Sequence, residues 1–241
     1  MNSPTIETGD VSWMLISTVL VMLMTPALAL FYSGLVKQRN VLNTLMMSMV
    51  SLGVVSLIWA LIGYSLAFAP GNSFIGGLDY LALNGVGQSP LPDSTIPHQL
   101  FMLFQMMFAV ITPALISGAV VGRIKFSTYT LFIGLWSLLV YSPLCYWVWG
   151  GGWLSSGGFS DFAGSTLVHG CGGAAALAGI IVLGAREGRF GRRGEKKSMQ
   201  PFAASSIPLV TLGTFLLWFG WFGFNGFSQL AMGTFDDVNA I

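Results

Sequence analysis

Six apolar runs dominate this chain, and every lysine and arginine falls in just three of the gaps between them. The runs lie near 11–36, 41–68, 100–122, 129–149, 162–184 and 207–230. Each is long enough to cross a hydrocarbon core, which takes roughly 20 residues at about 1.5 Å of helical rise apiece. The cations are Lys37 and Arg39 after the first run, Arg123 and Lys125 after the third, and Arg186, Arg189, Arg192, Arg193, Lys196 and Lys197 after the fifth. The positive-inside rule assigns those gaps to the cytoplasm, so the N-terminus and the gaps after runs two and four lie outside. A sixth crossing returns the chain to the outside. Glu7, Asp10, Asp79, Asp93, Asp236 and Asp237 all fall in outer segments, so the net charge of +1 conceals a polarised molecule. The basic loops read either as orientation signals or as contacts for anionic lipid.

Composition points the same way. Apolar residues make up 54% and charged residues 8%, against about 25% charged in a soluble domain. The expectation is an all-α polytopic membrane bundle of six transmembrane helices in one domain. Ala27-Leu28-Ala29 has the look of a signal-peptidase site, but Glu7 and Asp10 precede the run where a positive region belongs, and apolar sequence continues through Phe31. Run one is therefore read as a retained helix, with a kink expected at Pro26. Cys145 and Cys171 lie inside spans without a metal or disulfide pattern and read as packing residues. The glycine- and proline-rich stretch 70–97 suits a loop folded over the outer mouth, and 185–200 a cytoplasmic hinge. In run five Gly170, Ala174 and Ala178 recur every four residues, and Gly172, Gly173 and Gly179 add further bare surface for close helix approach.

Ionisable groups inside the spans number two, Asp161 and His169. At mid-bilayer such groups usually face protein or a water-lined path, because exposure to lipid costs roughly 2.5–3.5 kcal/mol even on lenient scales. Asp161 follows Gly157-Gly158-Phe159-Ser160 at the head of run five, where a carboxylate either caps the helix or touches a ligand. His169 lies eight residues on, about 12 Å deeper along a regular helix. It reads as an imidazole satisfied by a neighbouring helix or as part of a proton path. His98 is read as an ordinary boundary residue before run three. Tyr146, Trp147, Trp149 and Trp153 gather at the outer end of run four, either as an aromatic belt or, with Phe108, as a cage whose ring faces attract a cation.

Four ordered segments carry a specific resemblance: 104–115 (FQMMFAVITPAL), Trp149-Gly150-Gly151-Gly152, 161–169 (DFAGSTLVH) and Trp221-Phe222-Gly223-Phe224-Asn225. With Phe31-Tyr32-Ser33-Gly34 and Ser228, they resemble the amino-terminal portion of the ammonium transporter (Amt/Mep/Rh) family over essentially the whole chain. The resemblance implies transport of ammonium or ammonia, with no catalysis and no cofactor, in the cytoplasmic or inner membrane of a prokaryote. It implies that Trp149, Phe108 and Ser228 form an outer cation site supported by Asp161. Phe108 and Phe224 would form a stacked gate, and His169 would be the first of two pore histidines. A homotrimer and a cytoplasmic PII-type signal protein are the implied partners, with no nucleic acid.

The sequence departs from the family pattern at three places. Gly122 stands where an acidic residue commonly precedes Arg123, and Gly226-Phe227 replaces a small pair before Ser228. Members also have eleven spans in two inverted halves. Residues 1–241 are accordingly expected to hold a truncated domain: a first five-helix half at 11–184, the hinge at 185–200 and a sixth helix within 201–231. Two other readings are carried: a non-conducting ammonium sensor using the same outer site, and a membrane redox subunit with His98 and His169 as haem ligands.

Overall fold

The computed structural model describes residues 5–186, 203–226 and 228–233, and among them there is no β-strand. Six helices are long and apolar enough to span a membrane. They are α1 (Thr8–Leu35), α2 (Gln38–Phe68), α3 (His98–Val120), α4 (residues 126–148), α5 (Ser165–Leu183) and α6 (Ile207–Gly226). The chain is thus a multi-pass membrane protein. Most of the hinge, with all its cations beyond Arg186, lies outside the described residues, as does Phe227.

The loops sort into two ends. At one, the Glu7 amide donates to the Thr95 carbonyl, and the Asp10 carboxylate accepts from the Thr95 hydroxyl (2.5 Å) and the Met232 amide (2.8 Å). That end gathers the start of α1, the 69–97 loop and the segment beyond α6. At the other, the Ser205 hydroxyl donates to the Ser33 carbonyl, Arg123 donates to the Gly184 carbonyl, and Arg186 to that of Gly118. The described cations therefore share one end and the described acids before α4 share the other, the partition that the positive-inside reading requires.

Helix α3 is the axle of the packing. It touches α1, α2 and α5, and most of its residues are buried. Buried polar groups tie it to its neighbours: the Ser48 and Ser117 hydroxyls sit 3.1 Å apart, Tyr32 donates to the Leu115 carbonyl, and Tyr129 to that of Pro113. Such bonds have no water to compete with them in a bilayer. Helix α1 runs unbroken through Pro26, and α6 packs along it through bare backbone. A methyl group placed on Gly213 would stand 2.4 Å from the Phe31 nitrogen, and one on Gly220 would stand 2.3 Å from Met24 Cγ.

Four local expectations are corrected. Helix α5 begins at Ser165 rather than 162, because Gly164 turns into the left-handed region (φ 88°) before the first turn. Of the small residues expected to admit a neighbour, Gly170, Gly173, Ala174 and Ala178 are exposed, and only Gly172 and Gly179 meet α3. Spacing reveals a bare face but not which neighbour is present to use it. The 70–97 loop packs on the ends of α1, α2 and α4, where Trp147 Nε1 donates to the Phe74 carbonyl at 2.6 Å, rather than over the mouth. His98 does head α3, yet it is buried: Nε2 lies 2.6 Å from the Tyr64 hydroxyl and the ring meets Tyr80 edge-on.

Candidate functional site

The site begins with how α5 starts. Asp161 is buried, and its carboxylate accepts the backbone N–H groups of Gly164, Ser165, Thr166 and Leu167 at 2.8–2.9 Å. These are the amides that no helical carbonyl can reach, and negative charge is favoured at that dipole end. Of the two sequence readings of Asp161, the cap is the one drawn in these bonds. The same residue fixes Trp149, whose indole N–H donates to the Asp161 carbonyl at 2.7 Å.

Held in that way, Trp149 lines a cavity of about 300 Å³ together with Phe104, Gln105, Phe108, Asp161 and Ser228. The Trp149 and Phe108 rings meet edge to face, their centroids 5.7 Å apart. Ser228 Oγ donates to the Phe224 carbonyl, which leaves its lone pairs free to accept. Trp147 and Trp153 pair with each other instead and do not line the cavity. Among the outer aromatics of α4, the cavity therefore takes Trp149.

The cavity floor is closed. Phe108 packs against Phe224 with the rings tilted by 39° and their centroids 4.5 Å apart, too near for anything to lie between them, and both rings are buried. Beyond that pair, the His169 ring lies 5.7 Å from Phe224 and 5.5 Å from Trp221. The rings follow one another in the order Trp149, Phe108, Phe224, His169. His169 sits in a π-helical opening of α5, Ser165–Gly170, a wide turn of a kind often found at functional sites. Its Nδ1 is 3.3 Å from the Gly164 carbonyl, which can only accept. A neutral His169 bonded this way carries its proton on Nδ1 and presents Nε2 as an acceptor.

The structure thus brings together every residue that the resemblance singled out, while it keeps His98 apart in a separate cluster with Tyr64 and Tyr80. With Nε2 of His98 already engaged by Tyr64, the paired-histidine haem reading has no geometry to support it. The residue that the sequence reading passed over is Gln105. Phe101, Phe104, Gln105 and Phe108 follow the i, i+3, i+4, i+7 stripe of one helix face, and that spacing was the available signal.

Comparison with known proteins addresses the chain as a whole. The chain is 54% identical over 182 residues to an ammonium transporter of Bacillus subtilis, covering 75% of this chain and 45% of that protein. It is 45% identical over 224 residues to ammonium transporter Amt1 of Archaeoglobus fulgidus, covering 92% of this chain and 53% of that one. The chain therefore spans about half the length of the curated relatives it matches. Among solved structures, Candida albicans Mep2 superposes with a TM-score of 0.84 at 37% identity, covering 95% of this chain and 50% of Mep2. A protein described as a sensor Amt protein superposes with a TM-score of 0.85 at 29% identity. The model of the Ammonium Transporter Family matches residues 12–240, and the chain belongs to that family.

Proposed function

We propose that this chain supplies the outer recruitment site and one wall of a path for ammonium and ammonia. The observation that carries the reading is the ordered series Trp149, Phe108, Phe224, His169 beneath a cavity that Ser228 and Asp161 also line. Ring faces attract a compact cation, with about 2 kcal/mol or more available once it is desolvated. An apolar constriction then rejects charge. Potassium cannot discard its charge, whereas ammonium can leave a proton behind and pass as ammonia, so deprotonation would set selectivity. Nε2 of His169 is the acceptor that such a path needs below the gate. Opening requires Phe108 or Phe224 to swing aside.

In this reading the exposed side of α5 and α6 faces the spans by which the relatives exceed this chain, and residues 11–184 act as the first of two halves. A homotrimer and a PII-type partner on the basic cytoplasmic face rest on family membership alone. A sensor would use the same outer site without flux. The test is uptake of methylammonium by vesicles carrying the chain together with the spans by which its relatives exceed it, wild type against Trp149→Leu. The variant should lose about 1–2 kcal/mol of apparent affinity. Unchanged concentration dependence would return Trp149 to the aromatic belt, and saturable binding without uptake would favour the sensor.

A further inference from the structure

Gln105 is the one polar residue on the α3 stripe of Phe101, Phe104, Gln105 and Phe108, all four of which line the outer cavity. Its side chain is buried, 6% exposed, and its Oε1 has no hydrogen-bond donor. Buried acceptors in folded proteins are nearly always paired, and leaving one unpaired inside an apolar wall is costly. Three other polar groups of that wall are engaged: the Asp161 carboxylate by four amides, the Trp149 indole by a carbonyl, the Ser228 hydroxyl proton by another, while Ser160 is exposed rather than buried. The Gln105 oxygen is covered as it stands, and a half-turn of the amide about its last torsion brings it to the cavity in place of the amide nitrogen; an acceptor there, beside two aromatic rings, matches a guest that brings N–H groups and positive charge.

We infer that Gln105 is a further ligand of the outer site, its side-chain carbonyl oxygen accepting a hydrogen bond from an N–H of the bound cation. The inference rests on the ammonium reading given above. Aromatic faces alone attract any compact cation; a directional acceptor adds a preference for one that donates. Its neutrality also matters. A carboxylate at this position would stabilise the charged guest and oppose loss of the proton, whereas an amide oxygen binds the N–H and lets the charge go.

The test is the concentration dependence of methylammonium uptake in vesicles by the chain together with the spans by which its relatives exceed it. Gln105→Met keeps the side-chain length and removes the acceptor, so half-saturation should rise about tenfold, the worth of one hydrogen bond to a charged group. Gln105→Glu keeps the acceptor and adds charge, so half-saturation should fall and the maximal rate should fall with it. A Met variant with unchanged half-saturation, beside a weakened Trp149→Leu, would overturn the role of Gln105 and leave the outer site standing. Equal weakening in Met and Glu variants would also overturn it, since only shape would then matter. Should Trp149→Leu change nothing either, the outer-site reading falls and this inference falls with it. If the Met variant fails to fold, the joint fall in half-saturation and maximal rate expected of the Glu variant still decides.

Discussion

Helix α3 and the pair α5–α6 are alike in apolar character and opposite in surroundings. In its most apolar window α3 is 83% buried, whereas α5 is 17% and α6 22% buried. Exposure to lipid is no anomaly for a spanning helix. Helix α1 shows Leu15, Val19 and Met22 on its open side, and α4 shows Leu131, Leu135 and Leu139. The open sides of α5 and α6 differ in kind, because they present Thr166, His169 and Asn225. A titratable imidazole facing hydrocarbon is costly, so that side is built to meet protein or water. Hydropathy says that a helix crosses; the chemistry of its uncovered face says what it crosses beside.

That contrast can be broken or sharpened by substitution. The largest effect should follow Asp161→Ala, which leaves four amides at the head of α5 without an acceptor and so loosens the turn whose main-chain carbonyl seats Trp149. We expect about 3–5 kcal/mol of destabilisation, at one to three for each unpaired buried group less what water recovers. Thermal unfolding in detergent reads it, and a loss under 1 kcal/mol would deny that Asp161 organises the site. Next come two glycines chosen from the two kinds of surface. Gly213→Ala drives a methyl into the α1 backbone and should cost about 1–3 kcal/mol. Gly173→Ala meets nothing within 4 Å and should be neutral or slightly stabilising. Equal costs would erase the distinction between packed and open faces. The smallest effect is Ser48→Ala, which removes one hydroxyl pair between α2 and α3. A loss of about 0.6 kcal/mol is expected, the usual worth of an interhelical hydrogen bond in a membrane.

Span number, order and the sorting of loops were legible in the sequence, because hydropathy and cation placement act through the bilayer rather than through neighbours. Site residues were not legible from spacing. Asp161 and His169 stood out as ionisable groups within spans, but their roles, and the choice of Trp149 over Trp147, came from resemblance. Some of the geometry carries no sequence signal at all. Nothing local marks the π-helical turn that holds His169, or marks Asp10 as a buried strap between Thr95 and Met232 rather than one more outer charge. The glycine faces teach the same lesson, since run five offered several small residues and only Gly172 and Gly179 meet α3, while the tightest contacts of the pair α5–α6 fall on the glycines of α6.

The central claim is that the face bearing His169 is an inner wall waiting for cover. Reconstituting the 241-residue chain alone in liposomes and following methylammonium flux tests it most directly. Little selective flux is predicted from the chain by itself, with recovery when the spans by which its relatives exceed it are supplied as a second polypeptide. Robust ammonium-selective flux from the chain alone would contradict the account, because α5 and α6 would then close a path without that cover.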